Sequence, residues 1–332
     1  MYIADDGIFP AETTLIVHDG FLPPGHLHGG VYILMLKDSQ PVGEVIRIEP
    51  PSGKCYYHNS TMIDLNGDGR KDLLLAETCK HPIGGQKGQL IWLEQPAANV
   101  TAPGSWTKHS LVDGPDILIE TLPINDTTLI VYAAQFWTSE LKYYYLRIGS
   151  GSGSPKIVDP EGIVIDSSIG AVYDVQIVDI LKDGKKQLLV NDHVADGSKN
   201  GVFLYEFPEN HYPDPKGKAF SKHQIAGGFN TSGGVGVGAP GFVTPFDLNE
   251  KEDRKKPFKI GVAGDGNFIT WELTLEDKKA MKYKKEVIKS VGGTSGIMAF
   301  GDVDGDGWTE AFVPYYEENL IYVYTANPAG VQ

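Results

Sequence analysis

One supersecondary unit, a strand, a polar turn and a second strand, occurs five times in this chain and limits what it can fold into. The fullest copies are TMIDLNGDGRKDLLLAETCK (61–80) and GIMAFGDVDGDGWTEAFVPYYEE (296–318). VYDVQIVDILKDGKKQLLVNDH (172–193) and GFVTPFDLNEKEDRKKPFKIGVAGDG (241–266) are weaker copies, and DILIETLPINDTTLIVYAAQF (116–136) keeps only the shape. Anchored on Asp64, Asn125, Asp179, Asp247 and Asp302, the copies recur at intervals of 54 to 68 residues. A third apolar run follows each (GQLIWLEQP, LKYYYLRIG, GVFLYEFPE, NFITWELTL, NLIYVYTAN), and often a fourth (WTKHSLVDG, FSKHQIAGG, YKKEVIKSVGG).

Four sequential strands per unit, repeated radially, predict an all-β single β-propeller. The last unit stops after its third strand, and TTLIVHDG near the N-terminus fits the fourth-strand pattern, so residues 11–19 are expected to close the ring. GGVYILMLKDSQPVGEVIRIE then makes a shortened blade. The expected limits within the single domain, 1–332, are 20–52, 53–113, 114–166, 167–227, 228–292 and 293–328. That makes six blades, with five or seven left open. The best helix candidate, LTLEDKKAMKYKKEV, lacks an apolar stripe and reads as a charged loop leading into a strand. The 40 glycines and 21 prolines, scattered without period, suit short strands joined by turns.

The acidic turns follow the pattern Asp-x-Asn/Asp-x-Asp-Gly-x-x-Asp/Glu, which resembles the FG-GAP/VCBS repeat of integrin-α propellers and fungal lectins. The wider arrangement resembles the propeller of fungal aldos-2-ulose dehydratases, which are secreted sugar lyases. In DLNGDGRKD the oxygens of Asp64, Asn66, Asp68 and Asp72 and the carbonyl of Arg70 can converge; in DVDGDGWTE the set is Asp302, Asp304, Asp306, Glu310 and the Trp308 carbonyl. Oxygen-only ligation at alternating positions suits Ca²⁺, giving two structural calcium sites. An acidic turn without an ion is the alternative. The other copies have lost ligands, as at Leu181, and are expected to be metal-free.

A calcium-clamped turn between the first and second strands of a blade is a scaffold element. Chemistry is therefore expected on the opposite face, where first strands begin and second strands end. Pairing Asp64 with Asp72 brings Cys55 and Cys79 near each other across the ladder, which predicts a disulfide. The same positions around the ring supply His58, Glu77, Gln135, Tyr173, Asp192, His193, Asp265, Tyr315 and Tyr316, and PPGHLHGG adds His26 and His28. Four of the nine histidines thus project onto one face.

Two functions follow from such a face. In a carbohydrate lyase or dehydratase acting by β-elimination, His193 or His58 is the base and Tyr316 the acid, with Tyr173 beside them. Gln135, Asp265 and Tyr315 would bind substrate. An additional divalent metal, held by histidines such as His26, His28, His58 or His193 with Glu77 or Asp192, would polarise the carbonyl. The alternative is a non-catalytic sugar-binding or adhesion propeller; the divergence of the copies favours the enzyme. Tyr315 and Tyr316 as plugs, and a solvated His-x-His, are the structural alternatives.

A formal net charge of −14 argues against nucleic-acid and anionic-membrane partners and leaves a small sugar or glycan as the expected partner. No apolar run reaches membrane-spanning length. No signal peptide is visible, yet the sequons at Asn59, Asn99, Asn125 and Asn230 and the paired cysteines fit a secreted glycoprotein whose leader is removed. No G-x-S-x-G elbow, P-loop, dinucleotide fingerprint or Cys-x-x-Cys spacing occurs.

Overall fold

The computed structural model describes residues 2–4, 7–11, 13–20, 29–50, 54–81, 85–151, 153–231, 237–249, 251–290 and 293–328. They belong to two compact units, Met1–Asp166 and Ser167–Gln332. No helix occurs among the described residues. The fold class is an all-β propeller of six blades, three in each unit.

In the first unit the sheets run in chain order. The first contains Tyr2–Ile3, Thr13–His18, Val31–Lys37 and Gln40–Pro41, with Ile46–Arg47 also paired to the third strand. The second contains Cys55–Ile63, Asp72–His81, Gly85–Glu94 and Thr107–Asp113. The third contains Leu118–Asn125, Thr128–Gln135, Glu140–Arg147 and Lys156–Ile157, with Ile163–Asp166 alongside. The second unit repeats the plan: Val172–Val178, Gln187–Asp192, Gly201–Glu206 and Ser221–Gly227; then Val243–Phe246, Lys259–Val262, Ile269–Asp277 and Lys282–Ser290; then Ala299–Gly301, Glu310–Tyr315 and Leu320–Thr325. The charged segment 273–287 is a hairpin between two of these strands, not a helix.

The second strands read as continuous apolar runs because both of their faces are covered. Leu73, Leu74, Leu75 and Ala76 are all fully buried. Leu73 and Leu75 join the cluster of Ile16, Ile33 and Ile48 from the first sheet, while Leu74 and Ala76 join that of Leu129, Val131 and Ala133 from the third. Truncating one of these leucines to alanine costs about 2–5 kcal/mol. In the second unit, Leu189, Val202 and Leu204 pack in the same way against Val243, Ile260 and Val262.

The N-terminal strand differs from expectation. Thr13–His18 does not complete the last sheet, which has three strands among the described residues. Both of its edges are taken within the first sheet, by Tyr2–Ile3 and by Val31–Lys37. Pairing with a segment close in sequence closes a short loop at low entropic cost, and a two-residue strand carries too little pattern to be seen in advance. The first blade is therefore not shortened and does not begin at residue 20.

The cysteine pairing is as expected: Cys55 and Cys79 face each other in the ladder and are bridged.

Candidate functional site

Each acidic turn is shaped by backbone amides bonding to its leading aspartate. Gly67 and Asp68 donate to one oxygen of Asp64 and Gly69 to the other; Gly305 and Gly307 repeat this on Asp302. Gly69 and Gly307 have φ of 85° and 94°, where a side chain would be strained. The turns then diverge. In the C-terminal one, carboxylate oxygens of Asp302, Asp304 and Glu310 lie within 4.8 Å of one another. Asp306 is outside that group, accepting instead from Asn327 and the Trp308 amide.

In the turn at 64–72 the guanidinium of Arg70 pairs with Asp68, and both oxygens of Asp72 accept backbone amides, from Leu65 and Gln95. Asn66 donates to Asp68 and Glu94. Three carboxylates are not gathered there. A basic side chain also fills a later turn, where the Lys182 ammonium lies 2.6 Å from both oxygens of Asp247. The donor set of the C-terminal turn thus fits a hard divalent cation better than that at 64–72.

In the second unit the structure gathers four of the expected residues. Val172 pairs with Asp192 and Asp174 with Asn191, so Tyr173 is the bulged residue of its strand. A bulge re-aims the side chain, and Tyr173 stacks on His193 with centroids 4.6 Å apart. The Tyr173 hydroxyl points at Asp265 Oδ2, 3.5 Å away, and His193 Nε2 lies 3.9 Å from the same oxygen. His193 Nδ1 lies 3.0 Å from the Pro240 carbonyl. A carbonyl only accepts, so Nδ1 carries a proton, and in the neutral ring the lone pair is on Nε2.

Burial is the main cause of every shift in this cluster. It raises Asp265 above the usual carboxylate range, opposed by His193, and holds Tyr173 well above the usual phenol range, reinforced by Asp265. Tyr316, raised by burial and by Asp265, leaves 52% of its surface exposed.

Gly238 and Gly266 make this approach possible. A Cβ on Gly238 would lie 2.3 Å from His193 Cδ2, and one on Gly266 would lie 2.1 Å from the Gly238 carbonyl. The run GGVGVGAPG signals such close contact, but the backbone acceptor at Pro240 and the Phe242 ring, 4.7 Å from Tyr173, have no motif that marks them.

Two expected members do not belong to this cluster. Tyr315 is a core residue, 1% exposed, packed with Met298 and Val313 and edge-on to Tyr322. Asp192 ends its strand one residue before His193 and is fully buried, and its Oδ1 accepts the Gly201 amide.

In the first unit the expected residues have separate partners. Glu77 is buried between the Tyr57 hydroxyl and the Lys108 ammonium. Gln135 donates to the Tyr144 hydroxyl and accepts from Thr138. His58 lies in another bulge, between Tyr57 and Ser60, beside the Tyr56 ring, and burial lowers it to about 4. His18, which no motif marks, contacts Ser60 and is lowered to about 3, chiefly by burial.

The expected ligands of an additional metal are His26, His28, Glu77 and Asp192. Glu77 is committed to Lys108, and His26 and His28 lie outside the described residues. Among the described residues, three or more metal-capable groups converge only at Asp302, Asp304 and Glu310 and at Cys55, Glu77 and Cys79, whose sulfurs are bridged.

Of the four sequons, Asn99, Asn125 and Asn230 are exposed, whereas the Asn59 amide is clamped to both backbone groups of Ile119.

No family model and no curated protein matches this chain. Among solved structures it is similar to a crystal structure of glucose dehydrogenase, at 9% identity over 95% of this chain and 99% of that one, with a TM-score of 0.46. It is similar to a second glucose dehydrogenase, at 10% identity over 91% and 96%, TM-score 0.45. An α-L-arabinofuranosidase from Lactobacillus brevis aligns at 10% identity over 90% and 89%, TM-score 0.41. Likenesses this distant transfer no residue role or reaction.

Proposed function

We propose that this chain is a secreted carbohydrate-active lyase that eliminates an oxygen leaving group β to a carbonyl, at the cluster of Tyr173, His193, Asp265 and Tyr316. The observation that carries the reading is the contact of His193 Nδ1 with the Pro240 carbonyl, 3.0 Å, which leaves Nε2 as a base beside a carboxyl group. His193 Nε2 takes the proton from the carbon next to the carbonyl. The C–H electron pair becomes the new double bond as the C–O bond breaks. The leaving oxygen takes the Tyr316 phenolic proton, and His193 returns its proton to Tyr316 through solvent. The products are an unsaturated carbonyl sugar and water or an alcohol.

Tyr173, kept protonated by burial, is the donor at hand for the developing enolate oxygen. Asp265 would bind a substrate hydroxyl. The resemblance of the acidic turns to FG-GAP/VCBS repeats supports structural calcium, with Asp302, Asp304 and Glu310 as its ligands; bound there it would tie the turn between adjacent strands. The Cys55–Cys79 bridge supports an oxidising, extracytoplasmic setting.

The test is a screen of keto-sugars, anhydrosugars and uronate glycans for new ultraviolet absorbance, which conjugation of a double bond to the carbonyl produces. Turnover is expected to fall by about 10²–10⁴-fold in His193→Ala with the fold intact by circular dichroism. No signal from any of these substrates, or full activity in the variant, overturns the reading.

A further inference from the structure

A separate groove of about 580 Å³ lies in the first unit, along the end of the second sheet and the turn that follows Thr128–Gln135. Its wall is built rather than incidental. Asp116, almost fully buried, accepts the backbone amides of Phe136 and Trp137 at 2.7 and 2.8 Å and so fixes that turn. The Trp137 indole donates to the Tyr56 hydroxyl and packs edge-on to Phe136, yet 39% of the residue stays exposed. A half-exposed indole held at its nitrogen and at its backbone is a rigid platform that loses little entropy on binding. No other turn between second and third strands in the chain carries a tryptophan, so the groove is not a feature of the repeat.

The polar lining narrows the ligand. Gln135 and Tyr144 form a buried, hydrogen-bonded floor. The Tyr144 hydroxyl accepts from Gln135, and burial pushes it up to about 12, so it keeps a proton to donate. Glu140 and Lys142 pair at 2.9 Å on one side, and Lys87 and Glu161 also line the groove. Lys87 and Lys142 stand against Asp113, Glu140 and Glu161, so both signs are present with an acidic excess that disfavours a polyanion. An apolar ligand would leave these groups desolvated without partners. A pyranose ring offers what fits: an apolar C–H face for the indole and an equatorial rim of hydroxyls for carboxylate, ammonium and phenol.

We infer that this groove is a binding site for a neutral pyranose unit of a glycan. It stands apart from the lyase reading and does not depend on it. It would hold the protein on a polysaccharide through contacts that take no part in bond breaking.

Isothermal titration of the whole protein with cellotetraose, xylotetraose, mannotetraose, maltotetraose and chitotetraose, with oligogalacturonate as the charged comparison, tests this. At least one neutral probe is expected to bind, with affinity about tenfold or more lower in Trp137→Ala. Lys142→Ala, which leaves the turn intact, is expected to weaken it several-fold. His193→Ala is expected to bind as the wild type does, so loss of lyase activity and loss of glycan binding separate. Absence of binding by every neutral probe at millimolar concentration overturns the inference. So does preference for the oligogalacturonate, or unchanged affinity in both Trp137→Ala and Lys142→Ala.

Discussion

Tyr173 and His193 stack with their ring planes 21° from parallel, and they meet because Tyr173 is an extra residue in its strand. Regular alternation would pair it in the ladder; the bulge turns it onto the imidazole. Stacking on one face, the Pro240 carbonyl at Nδ1 and the flush backbone of Gly238 together leave His193 one orientation.

That packing makes Gly238 a positioning residue. Gly238→Ala places a methyl group against the imidazole, and overpacking of this kind costs about 1–3 kcal/mol. The expected outcome is a lower melting temperature with a displaced His193 ring resonance in a ¹H–¹⁵N spectrum. An unshifted His193 signal would show that the ring does not lie against residue 238.

Asp192 is fully buried, its Oδ2 has no hydrogen-bond partner, and burial raises it to about 7. The folded state therefore holds this proton more tightly than the unfolded chain does. Stability is expected to fall as pH rises from about 4 to 7, with the penalty complete above that window. Each tenfold difference in proton affinity between the folded and unfolded chain is worth about 1.4 kcal/mol. Asp192→Asn should lose less stability than the wild type between pH 5 and pH 8 in urea unfolding. Parallel curves for the two proteins would contradict this, since Asp116, raised by burial to about 7, and Asp174, raised likewise to about 6, contribute equally to both.

Removing the bridge between Cys55 and Cys79, which are 24 residues apart, should cost about 3 kcal/mol on the chain-entropy model. The double serine variant is expected to melt lower than the oxidised protein. Two thiols titrated in denatured, unreduced protein would mean the bridge is absent.

Added calcium is expected to raise the melting temperature, because an ion bound only by the folded state stabilises it by mass action. Asp304→Ala should abolish most of that rise. Asp68→Ala should retain it, since Asp68 is already paired with Arg70. If Asp68→Ala alone loses the calcium response, the ion belongs to the turn at 64–72.

The sequence by itself determined the five repeated strand–turn–strand units, though not the make-up of the first blade. Strand periodicity, apolar runs such as Leu73–Ala76 and the Asp-Gly turns are local properties, repeated often enough to be read through their divergence. It also brought Cys55 to within a residue or two of Cys79, but the exact pairing comes from Ile63 facing Asp72 and from the bulge between Tyr57 and Ser60. Tertiary structure decided the rest. Tyr315 and Tyr316 are adjacent and chemically alike, yet one is buried in the core and the other half-exposed near Asp265. Asp192 and His193 are also adjacent, yet one is fully buried and accepts the Gly201 amide while the other stacks on Tyr173. Periodicity says that two faces exist; which one meets packed side chains and which meets solvent depends on the neighbouring sheets. A bulge at Tyr173, a backbone carbonyl at Pro240 and an arginine filling an acidic turn have no one-dimensional signature, because each acts through contacts between segments rather than within them.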